Sequence, residues 1–188
     1  RSRTDLFFPP TLAQNVADQF SWRSIGPANM GGRITAIAVS EHDHSTWWAA
    51  TASGGLLKTT NDGNTFEHQF DKEATVSIGD VQVSASNPDI VWVGTGESNP
   101  RNSVSWGDGV YKSEDGGKTW KNMGLKNTFQ TGALAIHPKN PDVVWVGSLG
   151  RLWGPNPERG LFKTSDGGKT WKKVLFVNDD KFLLSYSD

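Results

Sequence analysis

The chain contains no cysteine, which excludes a disulfide or a thiolate metal site within it. No apolar run approaches the roughly 20 residues that a membrane-spanning helix needs. No block of like charge is present. Nineteen Lys and Arg stand against 20 Asp and Glu, a net charge of −1, so composition gives no electrostatic reason to expect nucleic acid or anionic lipid as a partner. Tyrosine is scarce, with two copies, and so is methionine, also with two. No signal peptide is visible; the chain starts on Arg1, and an upstream segment is expected. What is abundant is tryptophan and glycine, nine and 21 copies in 188 residues. That pairing suits tight turns set beside large packing anchors, as in all-β repeat folds.

The strongest signal is internal repetition. Ser86-Asn87-Pro88-Asp89-Ile90-Val91-Trp92-Val93-Gly94-Thr95 aligns with Lys139-Asn140-Pro141-Asp142-Val143-Val144-Trp145-Val146-Gly147-Ser148, with the two Trp 53 residues apart. Downstream, Ser113-Glu114-Asp115-Gly116-Gly117-Lys118-Thr119-Trp120 aligns with Thr164-Ser165-Asp166-Gly167-Gly168-Lys169-Thr170-Trp171 at an offset of 51. A weaker first copy has Trp48 followed by Thr59-Thr60-Asn61-Asp62-Gly63-Asn64-Thr65-Phe66. Each unit reads as four short strands. Ile78–Ser84 alternates apolar and polar residues, Asn87-Pro88-Asp89 is a turn, and Ile90–Thr95 is nearly all apolar, as a strand covered on both faces should be. Gly109–Ser113 and Thr119–Met123 complete the set around a hairpin turn. Four strands at about 50 residues is the period of a propeller blade. The expected fold is an all-β propeller of four-stranded blades, about three of them, with the ring incomplete in this chain. The expected blades are about 33–70, 77–123 and 131–177, and 178–188 starts a fourth or forms a tail. Residues 1–19 are expected to form a leader with a short helix after Pro9-Pro10, and Phe20–Ile25 an isolated strand.

The repeated Ser/Thr-x-Asp-x-Gly-x-Thr-Trp pattern resembles the Asp-box of sialidases, sortilin (Vps10) domains and related BNR-repeat proteins. Bacterial exported members labelled glycosyl hydrolases are the nearest likeness, matched by their N-terminal portion. The resemblance implies that Asn61, Phe66, Asp115, Gly117, Trp120, Asp166, Gly168 and Trp171 are structural and sit on the outer rim. Physically, the Asp accepts backbone N–H groups inside its turn, and Gly supplies the backbone freedom the turn needs.

Chemistry is expected in the connection between the second and third strands of each unit. It is ten residues longer in the second unit than in the first and eight longer in the third. Insertions at one place per repeat build one face. The ligand-binding candidates there are Asn99, Arg101, Asn102, Trp106, Arg151 and Trp153, with Arg33 placed near the ring entrance. Indole faces stack on sugar rings, and Arg and Asn bond hydroxyls; loop-stabilising contacts are the competing reading. Glu97 and Asp108 are the catalytic candidates, since glycoside hydrolysis needs two carboxylates. A sialidase would need an arginine cluster and a nucleophilic Tyr, and only Tyr111 and Tyr186 exist. Xyloglucanase-type propellers place an acid ahead of a Gly-Gly in their first blade; Ala52 stands there, before Ser53-Gly54-Gly55. No metal ligand set and no cofactor are expected. The function expected is a ligand- or protein-binding propeller module of a larger exported protein, periplasmic or secreted. The alternative is a glycoside hydrolase whose site spans further blades. The expected partners are a glycan, a protein or a peptide, together with the remaining blades of a longer chain or another copy.

Overall fold

The computed structural model describes residues 33–99 and 104–179. The expected N-terminal helix, the strand at 20–25 and the tail from 180 onward lie outside the described residues. The three sheets belong to one unit of the chain, residues 32–188.

Each sheet is a four-stranded antiparallel meander whose order in space is its order in sequence. The first holds β1 (Ile34–Val39), β2 (Trp47–Thr51), β3 (Leu56–Thr59) and β4 (Glu67–His68). The second holds β5 (Ile78–Val83), β6 (Val91–Thr95), β7 (Val110–Ser113) and β8 (Lys121–Asn122). The third holds β9 (Thr131–His137), β10 (Asn140–Ser148), β11 (Gly160–Thr164) and β12 (Lys172–Leu175). A 3-10 turn at Lys126–Thr128 lies between the last two sheets. β8 is shorter than the expected Thr119–Met123, because the hairpin's own hydrogen bonds occupy Thr119. β10 is longer than expected, since Asn140-Pro141-Asp142 pairs back onto His137 across a register shift rather than standing clear as a turn.

The sheets pack face to face, with β1 against β5 and β5 against β9. Sheet two shows why its second strand is apolar throughout. Val91 and Val93 join Trp48, Leu56, Phe70 and Ile78 in one core. The intervening Trp92 points the other way, into a second core with Leu134, Val144, Val146 and Phe162. Alternation of side chains across a strand requires this once both faces are covered.

The β3–β4, β7–β8 and β11–β12 hairpins are braced alike. Asp115 accepts hydrogen bonds from Ser113 Oγ (2.8 Å), Thr119 N (2.9 Å) and Thr119 Oγ1 (2.5 Å). Asp166 repeats the set with Thr164 Oγ1, Thr170 N and Thr170 Oγ1 at 2.7, 3.0 and 2.6 Å. Asn61 keeps the bonds from Thr59 Oγ1 and Thr65 N, but its amide donates to Thr65 Oγ1 at 2.9 Å, reversing the third bond. The first hairpin is therefore intact without a carboxylate. Hydrogen bonds to its charged form, chiefly from the Thr119 side chain, hold the Asp115 carboxyl down to about 2, and those from Thr170 hold Asp166 well below the usual carboxylate range. A depressed carboxyl stabilises the fold above its unfolded pKa of about 4, and this is lost as pH falls through the folded value. Acidification from about pH 4 to pH 2 is thus expected to loosen hairpins two and three and spare the first. Indole N–H exchange of Trp120 and Trp171, measured by NMR, should rise in that window. In Asp115→Asn/Asp166→Asn the rise should vanish; if it persists, these carboxylates are not its source.

Successive sheets are also stitched through side chains that end on main-chain oxygens. Trp120 Nε1 donates to Gln69 O at 2.9 Å and Trp171 Nε1 to Met123 O at 2.7 Å. In the other direction Lys58 Nζ reaches Gly116 O at 2.9 Å. At the inner strands Leu134 N donates to buried Asp80 Oδ2 at 2.6 Å, and burial pushes that carboxyl up.

Candidate functional site

Strand direction gathers the longer connections on one end. Ile34 pairs with Thr51, Ile78 with Thr95 and Thr131 with Ser148, so residues 52–55, 96–99, 104–109 and 149–159 lie beside the starts of the inner strands. The linkers 69–77 and 123–130 leave from the same end. The braced hairpins lie at the other.

Three of these loops meet around Phe129. Trp106 packs edge-on against its ring, with centroids 5.2 Å apart, and the Arg151 guanidinium lies 4.8 Å from the ring centre. Trp106 is 60% exposed, and Trp153, on the Arg151 loop, is 76% exposed. Phe129 carries this contact on a backbone at φ 56° and ψ −40°, a conformation costly for a bulky L-residue. Its neighbours hold it there: Phe129 O accepts Gly107 N at 2.8 Å. The loops are fixed from below. Thr75 Oγ1 donates to Trp106 O and Ser77 Oγ to Ser105 O. The Arg159 guanidinium, 3% exposed, donates to the carbonyls of Leu149, Arg151, Gly154 and Asp179. A cleft of about 310 Å³ beside Phe129 and Arg151 is edged by Asn127, Asn156 and Glu158.

The two candidate carboxylates have separate partners. Glu97 is 2% exposed, takes its place through Glu97 N donating to Ser77 Oγ, and forms an ion pair with Arg33. Asp108 is half-buried. It accepts hydrogen bonds from Tyr111 Oη at 2.9 Å and Asn122 Nδ2 at 3.2 Å, with Lys126 Nζ at 3.5 Å. Burial is the main reason the Tyr111 phenol is pushed up, and its hydroxyl is spent as a donor to Asp108.

No family model matches the chain. Vacuolar protein sorting/targeting protein 10 of Kluyveromyces lactis is 30% identical over 79 residues, 42% of this chain and 5% of that protein. The xyloglucanase Xgh74A of Acetivibrio thermocellus is 29% identical over 88 residues, 38% of this chain and 10% of that protein. The chain therefore spans a tenth or less of the length of these curated relatives. Among solved structures, an ancestral GH74 enzyme superposes with a TM-score of 0.61 at 20% identity, over 78% of this chain and 19% of that one. YCF48 from Cyanidioschyzon merolae superposes at 0.54 and 19% identity, over 81% of this chain and 40% of that one. The described residues have the fold of part of a β-propeller.

Each sheet is then a blade, and the loop end is one face of the propeller. Of the residues singled out from sequence, Trp106, Arg151 and Trp153 share that face over blades two and three. Arg33 and Glu97 meet between blades one and two, and Asn99 is exposed. Arg101 and Asn102 lie outside the described residues. Phe129, on which Trp106 and Arg151 converge, was not singled out, because a lone aromatic in a linker carries no periodic signal. Asn122 and Lys126 were missed beside Asp108 for the same reason.

Proposed function

We propose that this part of the propeller is a ligand-binding module whose platform is the loop face of blades two and three. The observation that carries the reading is the Trp106–Phe129–Arg151 contact line with Trp153 exposed on the same rigidly held loop. Large aromatics left in solvent on a braced backbone offer stacking surface at little cost in ordering. The ligand is a glycan or a peptide segment of a protein. Both suit indole faces flanked by Arg151, Asn127 and Glu158, and a YCF48 structure holds a D1 peptide. The braced hairpins are proposed as Asp-boxes with a structural task only. The blade boundaries are proposed at 33–70, 77–123 and 131–177. The resemblance to exported BNR proteins supports a place outside the cytoplasm for the whole protein.

A glycoside hydrolase is the second reading, favoured by the xyloglucanase relative. In that reading Asp108, half-buried beside Lys126, is the better candidate of the two carboxylates, because Glu97 is already buried against Arg33.

The test is a titration of intrinsic tryptophan fluorescence with xyloglucan oligosaccharides and, separately, with a random peptide pool. Trp106→Ala and Trp153→Ala should each weaken the response about tenfold, in line with about 1–3 kcal/mol for a stacked aromatic anchor, and leave the melting temperature within about 2 °C. Equal binding by both variants would place the ligand elsewhere.

A further inference from the structure

The cleft beside Phe129 lies between blades two and three. Its walls are Asn127 and Phe129 on the linker side and Arg151, Asn156 and Glu158 on the blade-three loop. The Arg151 guanidinium lies 4.8 Å from the Phe129 ring centre. Among the described residues it donates to no acceptor and joins no ion pair. The loop carbonyls of Leu149, Arg151 and Gly154 are already bonded by the buried Arg159. The N–H donors of the Arg151 fork therefore await an acceptor.

Glu158 is half-buried in the same cleft and is not paired with Arg151. Asn156 is 3% exposed. Its Oδ1 accepts Glu158 N at 2.8 Å, while its Nδ2 is buried without a hydrogen-bond partner. One short wall thus holds an unmatched cation, a carboxylate that does not reach it and a donor left over. A planar guanidinium matches a carboxylate with two parallel hydrogen bonds, a fit that a single hydroxyl does not offer.

The rest of the cleft decides what carries that carboxylate. Neither residues 123–130 nor residues 149–159 contain a strand, so no main-chain edge is there for a peptide to extend. The volume, about 310 Å³, is at the lower end of small-ligand sites, roughly 300–1,000 Å³. Trp153, 76% exposed on the same loop, adds a flat apolar face, and Asn127 and Glu158 suit hydroxyl groups.

We infer that this cleft takes a uronic acid residue of a glycan, its carboxylate held by the Arg151 guanidinium and a ring hydroxyl donating to Glu158; this rests on the loop face being the ligand platform. The ligand is then narrowed from glycans and peptides to acidic glycans.

Tryptophan fluorescence of the full chain, titrated with a short oligogalacturonate, with its methyl ester and with an oligoglutamate peptide, tests this. The ester keeps the ring and the size and loses the charge. The free acid should bind about tenfold tighter than the ester, as a charge-assisted hydrogen-bond pair implies. Arg151→Gln should bring that ratio to about one. Arg151→Lys keeps the charge without the fork and should hold the ratio to about threefold. Near-UV circular dichroism confirms the fold of each variant; where one does not fold, the wild-type ratio and the other variant decide. Equal binding of acid and ester, both weakened by Trp153→Ala, overturns the acidic ligand and leaves the platform standing. A ratio that Arg151→Gln does not change places the carboxylate elsewhere and overturns the inference. A preference for oligoglutamate makes the carrier a peptide and overturns it too. No response to any of the three also overturns it, and the platform falls with it only if xyloglucan oligosaccharides and the peptide pool fail as well.

Discussion

Gly96→Ala is expected to destabilise the fold by about 2–5 kcal/mol, one of the two largest losses from a single substitution predicted for this chain. Gly96 has φ 86°, and a Cβ there would stand 2.0 Å from Phe129 O and 2.9 Å from Gln130 Cα and Gly107 N. All three are main-chain atoms, which cannot swing aside. Overpacking of this kind costs about 1–3 kcal/mol or more, and the left-handed conformation adds about 1–2 kcal/mol for any residue with a Cβ. At this chain length each kcal/mol lowers the melting temperature by about 2–4 °C, so a fall of about 4–20 °C is expected. Gly96 is also where the blade-two loop meets the linker to blade three, with Thr131 N donating to Gly96 O. The Phe129 contact line should be lost along with stability. Gly154→Ala is the control, because its φ of 84° is equally left-handed but nothing lies within 4 Å of the new Cβ. It should cost only the backbone share. Equal melting temperatures for the two variants would mean that the loop yields and the close approach carries no energy.

Trp92 is the second such position. It is fully buried, packs edge-on against Trp171 at 6.1 Å, and lies under the Lys112 ammonium. Trp92→Ala is expected to cost about 3–5 kcal/mol, since truncating a buried aromatic leaves a cavity its neighbours fill only in part. The more discriminating comparison is with phenylalanine. Trp48 Nε1 donates to Gln69 Oε1 at 2.9 Å, but the residue matching Gln69 in blade two is Met123, and Trp92 Nε1 is buried without a hydrogen-bond partner. Trp92→Phe removes an unsatisfied donor and should cost less than Trp48→Phe, which breaks a bond. Met123→Gln should gain about 1 kcal/mol by giving the Trp92 indole an acceptor. Chemical denaturation of the four variants checks the ranking. If Met123→Gln is neutral or harmful, the Trp92 donor is not the weakness described.

The blades were legible in the sequence because their strands alternate at period two and their turns recur at fixed offsets. Trp48, Trp92 and Trp145 mark the second strand each time, and the Thr-Trp or Thr-Phe steps mark the approach to the fourth. The contacts between blades were less legible. That Glu97 is buried against Arg33 follows from which face of a neighbouring blade meets the loop, and no local pattern records it. Asp108 was visible as a carboxylate in a long loop, but its ties to Tyr111 and Asn122 depend on strand register. Phe129 was invisible for a sharper reason. Its backbone conformation is one that local preference disfavours, so tertiary contacts impose it against the sequence's own tendency.

The indoles of Trp120 and Trp171 end on peptide oxygens, at Gln69 in one blade and Met123 in the next. Every amino acid offers that oxygen, so this bond survives a change of side chain at the receiving position while the donor is kept. A gene segment encoding one blade can then be copied or exchanged and still find its acceptor in an unfamiliar neighbour. Lineages built this way can change their blade number without first inventing a new acceptor for the indole.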